Sequence, residues 1–336
     1  MKEARFYDKT GGGTVQCYLC NHRCAIADGK RGVCGVRENH GGTLYSLVYG
    51  KVIAAHVDPI EKKPLFHYKP ATDSFSIATV GCNFSCQHCQ NWDISQRSKN
   101  GGEIVGREMP PEEVVETTIQ NKCASVSYTY TEPTIFMEYA ADTMKLARER
   151  GLGNVFVSNG YTTTQAFDEA GILPDANNVD LKAFTERFYR EVCGARLEPV
   201  LETLKYLVKK NVWVEVTTLI IPGYNDSPKE LKQIAEFIKN ELGDFVPWHV
   251  SRYHPDYKLR APATPVEKLR EAYDIGLQAG LKYVYSGNIP HEDSENTQCP
   301  NCGELIVERY GYNIARNKIT GGKCPACTEK IDGVWS

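Results

Sequence analysis

The chain has 336 residues, 41% of them hydrophobic, which suffices for one large buried core or two to three smaller ones. Its 39 Lys and Arg against 42 Asp and Glu give a formal charge of -3, so neither a bulk-basic nucleic-acid binder nor an acidic solvating tail is indicated. The polar start MKEARFYDKTGGG lacks the apolar stretch of a secretory leader, and no run approaches the roughly 18 apolar residues of a membrane span, so a cytoplasmic protein is expected.

In chain order, residues 1–72 hold four cysteines among Gly-rich turns. The segment VYGKVIAAHVDPIEKKPLFHY follows and predicts one short strand and a Pro-broken loop. Together they read as a small metal-pinned module. From Ser74 to about Pro290, strand-like runs alternate with helical patterns, the signature of repeated βα units on a parallel sheet. The strands are Phe75–Val80, Val126–Tyr130, Val155–Ser158, Val179–Leu181, Trp213–Ile221, Trp248–Ser251 and Tyr283–Tyr285. Between them lie PPEEVVETTIQNK, TIFMEYAADTMKLARERG, EPVLETLKYLVKKN, SPKELKQIAEFIKNELG and TPVEKLREAYDIGLQAG, with Pro or acidic residues in several first turns and Gly151 as a stop. Six or seven such units predict an α/β partial barrel over residues 73–292, with chemistry at the C-terminal strand ends. Residues 293–336 return to short segments between CPNC and CPAC and read as a third, small module.

Eleven of the thirteen cysteines fall into three tight groups, while Cys123 and Cys193 stand apart and read as core thiols. Gaps of two and three residues in a long chain are metal-ligand spacing rather than a disulfide framework. Cys82, Cys86 and Cys89 follow the first strand of the βα series as C-x3-C-x2-C. Three thiolates on one loop can hold three irons of a cubane cluster and leave the fourth iron open, which makes it a reaction site. A zinc site closed by His88 is the alternative. Cys299, Cys302, Cys324 and Cys327 form two knuckles that close a tetrahedral site for zinc, or for iron as in rubredoxin. A module of some forty residues with a meagre core needs such a staple. Cys17, Cys20, Cys24 and Cys34 fit either zinc, the preferred reading, or an auxiliary 4Fe-4S cluster.

The spacing in TVGCNFSCQHCQNWDIS, in its place after a strand, resembles the radical S-adenosylmethionine superfamily, with His88 where an aromatic residue is usual. That resemblance implies a partial (βα)6 barrel and reductive cleavage of S-adenosylmethionine to a 5'-deoxyadenosyl radical. It also implies further cofactor-binding positions. Tyr130, Thr131, Glu132 and Pro133 stand where the family has Gly-Gly-Glu-Pro, so Glu132 would meet the cofactor ammonium; a plain helix-starting acid is the alternative. Ser158 and Asn159, before Gly160, resemble the Thr-Asn-Gly turn of activating enzymes, or form an ordinary turn. Asp180 and Lys182 resemble the Asp-Leu-Lys of glycyl-radical activating enzymes, with Lys182 facing the cofactor carboxylate, or make a structural ion pair. His254 resembles a nucleoside-contacting position, with Arg252 in place of a proline, or is simply solvated.

Taken along the whole chain, CYLCNHRC, GVCGVREN, DPIEKKPLFHY, YTEPTIFMEY, VSNGY, VDLKAF, SRYHPDYK, YVYSGN and the terminal knuckles resemble the radical S-adenosylmethionine member of the AmmeMemoRadiSam system, related to pyruvate formate-lyase activating enzyme. That implies association with Memo-like and AMMECR-like proteins and an electron donor such as flavodoxin or ferredoxin. Hydrogen abstraction from an unidentified substrate is the function expected. The alternatives are a glycyl-radical activase and a non-catalytic zinc-ribbon interaction protein.

Overall fold

The computed structural model describes residues 1–287 and 293–335. Its centre is a sheet of eight strands: β1 (Ala54–Pro59), β2 (Asp73–Ala78), β3 (Ser125–Tyr128), β4 (Gly153–Ser158), β5 (Ala176–Asp180), β6 (Trp213–Ile220), β7 (Trp248–Arg252) and β8 (Val284–Gly287). Strands β2 to β8 are parallel and lie side by side in chain order, with β8 and β1 as the two edges. Strand β1 runs antiparallel to β2, Ala54 opposite Ala78 and Pro59 opposite Asp73. The barrel sheet therefore recruits a strand from before residue 73. Asn288 of the YVYSGN segment, Pro290 and the expected barrel end at residue 292 lie outside the described residues.

Six helices supply the crossovers: α1 (Pro111–Gln120), α2 (Met137–Glu149), α3 (Thr164–Ala170), α4 (Glu198–Lys209), α5 (Pro228–Phe237) and α6 (Val266–Ala279). Proline in the first turn of α1, α4 and α5 presets the helical φ where no N–H is needed. Side chains of Thr163 and Ser227 cap α3 and α5, and left-handed Gly171 and Gly280 end α3 and α6. The arrangement is six βα units followed by a seventh parallel strand. That one extra strand is the difference from the six-unit barrel the resemblance implied. Among the described residues, no helix is long and apolar enough to cross a membrane.

Residues 64–67 pack onto the central strands β5 and β6. Asn178 Nδ2 of β5 donates to the Pro64 carbonyl at 2.7 Å, and the N–H groups of Phe66 and His67 donate to Glu215 of β6 at 3.0 and 2.8 Å. Glu215 is fully buried; it also accepts from Trp213 Nε1 at 3.0 Å and lies 2.6 Å from His249 Nε2 of β7. Burial opposes its ionisation, but the His249 bond and the nearby His67 overcome that, so the carboxyl titrates below its ordinary value.

From below, the C-terminal module braces this segment. Its antiparallel strands Thr297–Gln298, Leu305–Tyr310 and Asn313–Asn317 bring Arg309 over the Phe66 ring, 4.3 Å from its centroid, with Nη2 donating to the Phe66 carbonyl at 2.9 Å. Cys299, Ile306, Cys324 and Ile331 share a small core with Phe66, Tyr283 and Tyr285. At the other end of the chain, Ala4, Phe6, Val15 and Leu44 join the main barrel core. Buried Arg37 seals that junction by pairing with Glu138 of α2 at 2.8 and 3.0 Å.

Glu215→Ala strands two buried backbone N–H groups and a buried His249, so it should lower unfolding stability in urea by about 3 kcal/mol or more. A loss below about 1 kcal/mol would show that water can replace the carboxylate.

Candidate functional site

The loop after β2 carries Cys82, Cys86 and Cys89, and its path is fixed from several sides. Gly81 has φ +106°, and a Cβ there would lie 2.6 Å from Val36 Cγ1 and 3.1 Å from the Cys34 carbonyl, so no larger side chain fits. The N–H groups of Ser85 and Gln87 donate to the carbonyls of Cys193 and Val192 at 2.8 and 2.9 Å. Lys258 and Leu259 N–H donate to Gln87 O at 2.9 and 2.8 Å. His22 Nε2, from the N-terminal cysteine loop, sits 2.8 Å from the Asn83 carbonyl. A loop bonded on both flanks keeps its shape without a ligand to order it.

All three cysteines line one cavity of about 500 Å³ at the C-terminal ends of the strands. Burial raises the Cys82 thiol well above its ordinary value, with Glu132 adding to it. The Cys86 thiol is raised chiefly by its bond to Cys193 and then by burial, and burial also raises Cys89. Cys193, read from sequence as a plain core thiol, is thus a neighbour of the loop. None of the three sheds its proton easily without a compensating cation. His88 lines the same cavity, and burial, helped by Lys182, pushes it down to about 3, so its ring is neutral.

Glu132 is buried and also lines the cavity. Its Oε1 accepts from Thr134 N at 3.1 Å, Thr134 Oγ1 at 2.5 Å and Ser158 Oγ at 2.9 Å, while Oε2 accepts from Asn159 N at 2.8 Å. It therefore caps the turn Pro133–Phe136, the plain role read from sequence, and lines the cavity at the same time. The Thr134 hydroxyl has Thr162 Oγ1 2.6 Å away as another partner, which frees a Glu132 lone pair for an incoming donor. Asn159 Nδ2 donates to Asn83 Oδ1 at 2.7 Å and ties this carboxylate to the cysteine loop.

Tyr130 stands at φ +62°, the left-handed region that glycine adopts freely. Its hydroxyl donates to Asp58, and Lys63 Nζ lies 4.7 Å from its ring centroid. Those contacts offset the backbone cost, so the turn survives the loss of glycine. Thr131 anchors to the Thr79 carbonyl at 2.9 Å. Lys182 and Asp180 form an ion pair at 2.8 Å, and both line the cavity. Burial opposes the charge on Lys182, but Asp180 and the nearby thiols outweigh it and hold the ammonium protonated. His254 is exposed and is not among the lining residues.

Sequence reasoning missed Lys62, Lys63 and Tyr312, which line the cavity as well. Lys63 bonds Asp58 at 2.6 Å, and burial pushes its ammonium down to about 8. The adjacent lysines of DPIEKKPLFHY carried no periodic signal, and Tyr312 arrives from the distant C-terminal hairpin.

The other cysteine groups differ in geometry. Cys299, Cys302, Cys324 and Cys327 bring all four sulfurs within 4.8 Å of one another, close enough to hold one metal ion. Cys17, Cys20, Cys24 and Cys34 surround a separate small enclosed cavity.

A family model described as the Radical SAM superfamily matches residues 76–238. An uncharacterized protein of Methanocaldococcus jannaschii is 49% identical over 335 residues, 99% of each chain. The pyruvate formate-lyase 1-activating enzyme of Escherichia coli is 24% identical over 204 residues, 57% of this chain and 82% of that protein. Among solved structures, Streptococcus suis SuiB bound to S-adenosylmethionine shares the fold with a TM-score of 0.52 at 14% identity, over 69% of this chain and 53% of that one. A three-cysteine loop after the first parallel strand, facing a strand-end cavity in a chain with these relatives, places the protein in the radical SAM superfamily.

Proposed function

We propose that Cys82, Cys86 and Cys89 hold three irons of a 4Fe-4S cluster and that the cavity beside them takes S-adenosylmethionine. When bound, these groups supply reductive cleavage of the sulfonium to a 5'-deoxyadenosyl radical, which takes a hydrogen atom from a substrate. The observation that carries the proposal is the convergence of the three cysteines, Glu132, Asp180 and Lys182 on one cavity of about 500 Å³, a volume suited to a small-molecule ligand.

The donor set fits such a ligand. Three thiols on one loop, Cys86 buried and Cys82 and Cys89 partly so, need a metal to compensate their ionisation, and Asn83 Nδ2 and His88 Nδ1 are buried without hydrogen-bond partners. Glu132, with Thr134 able to turn aside, is assigned the cofactor ammonium, and Lys182 its carboxylate. Asp180 orients Lys182. The floor formed by residues 64–67 keeps water from entering beneath the ligand, which protects a reactive species from side reactions. Tyr312 of the C-terminal hairpin contributes to the cavity wall. We extend the proposal to the AmmeMemoRadiSam system, supported by the motifs spread along the chain. A single tetrahedral ion, zinc by preference over iron, is assigned to the C-terminal knuckles, where the Cys299–Cys327 and Cys302–Cys324 sulfurs lie 3.6 and 3.7 Å apart. A tetrahedral site with Zn–S of about 2.3 Å requires about that spacing.

Cys82→Ala, Cys86→Ala or Cys89→Ala should reduce anaerobic deoxyadenosine formation to background while the zinc content stays unchanged; turnover persisting in any one of them would sink the mechanism. Glu132→Gln should weaken S-adenosylmethionine binding about tenfold, equivalent to ~1.4 kcal/mol, in equilibrium dialysis. An unchanged Kd would remove Glu132 from the binding site.

A further inference from the structure

We infer that Cys17, Cys20, Cys24 and Cys34 bind a second 4Fe-4S cluster, and not the zinc that their spacing alone suggests. Size comes first. Four thiolates on one zinc sit about 2.3 Å from a common point, which leaves no room between them for even a water-sized sphere. These four cysteines line one small cavity of about 20 Å³ together with Leu19, Ile26 and Ile135. Among the described residues, the C-terminal knuckles are the group of cysteines whose sulfurs all close to within 4.8 Å, and the N-terminal four do not do so. Thiolates that each bind a different corner of a cube stand farther apart than thiolates sharing one ion. The same chain therefore displays both geometries, one collapsed around a point and one held open.

Chemistry points to a metal centre. The cavity wall is apolar, formed by Leu19, Ile26, Val33 and Ile135, and it contains one strong donor, Arg37. Arg37 is 2% exposed; its terminal nitrogens are committed to Glu138 and to the Arg5 carbonyl, but its Nε has no partner. A buried guanidinium N–H left open beside four cysteines is costly unless something accepts it. The sulfides of a cluster are such acceptors, and hydrogen bonds to cluster sulfur are a recognised means of setting its potential. Metal-bound thiolates accept as well, so the open N–H fits a metal centre of either kind, and the spacing of the sulfurs is what separates a cluster from a single zinc ion.

Position gives the site its interest. The Cys34 carbonyl packs against Gly81, the residue before Cys82, and His22 between Cys20 and Cys24 contacts the Asn83 carbonyl at 2.8 Å. Thr134, a partner of Glu132, lines the same small cavity. The second cluster would thus lie directly behind the loop of the first, in contact with both its backbone and its carboxylate.

The test uses the full chain carrying Cys82→Ala, Cys86→Ala and Cys89→Ala together, reconstituted anaerobically with iron and sulfide. About four irons and four acid-labile sulfides per chain should remain, with the electron paramagnetic resonance signal of a reduced 4Fe-4S cluster that S-adenosylmethionine does not perturb. Absence of sulfide together with a second zinc would overturn the inference. Because that chain lacks the proposed catalytic motif, retained sulfide speaks only for the N-terminal site, whereas sulfide lost with the triple substitution but present in the parent supports the catalytic cluster alone. As a reciprocal measurement in case the triple variant misfolds, Cys20→Ser with Cys24→Ser should remove about four sulfides from the parent chain. An unchanged sulfide content would overturn the inference equally.

Discussion

A carboxylate sealed from water has to be satisfied entirely by protein, and Glu215 meets that requirement by bonding residues 64–67 to the central strands. Its partners come from β6, β7 and the plug segment, so one side chain fixes three parts of the chain that are remote in sequence. That plug is the floor of a vessel, and the cavity stands directly on it: Thr217, two residues along β6 from Glu215, is already part of the cavity wall.

Charge in that cavity is arranged in opposed pairs rather than scattered. Lys182 faces Asp180, and Lys63 faces Asp58, while Glu132 is held by neutral donors alone. Burial raises the Glu132 carboxyl above its ordinary value against the pull of those neutral donors, so an incoming cation would favour its charged form, whereas the paired groups present dipoles of fixed direction. The loop of three cysteines is bonded to the segments around residues 192 and 258, which fixes the direction in which it presents its thiols.

Much of this was legible in the sequence because it depends on short-range signals. Strand and helix alternation from Ser74 onward follows from local periodicity, and the C-x3-C-x2-C loop declares itself by spacing after a strand. Glu132, Ser158, Asn159, Asp180 and Lys182 came from the resemblance to family motifs at strand ends, and all of them border the cavity. What escaped notice is what depends on long-range contact. Strand β1 joins the sheet only through its pairing with β2, and its sequence AAHVDP gives no hint of the partner. Lys63 and Tyr312 reach the cavity because the plug and the C-terminal hairpin are folded over it. The left-handed Tyr130 shows a different lesson: it stands where the resemblance has glycine, and its hydroxyl bonds Asp58 while the backbone takes the shape that glycine adopts freely. His254, chosen by motif alone, faces solvent.

The C-terminal hairpin touches the vessel at both ends, bracing the floor through Arg309 and bordering the opening through Tyr312. Its own core is a handful of residues and depends on the four-cysteine staple. Cys299 and Cys324, two of the four cysteines that could hold one ion, lie in the same small core that carries Phe66, so whatever steadies the knuckles also steadies the segment beneath the cavity, more than two hundred residues earlier in the chain.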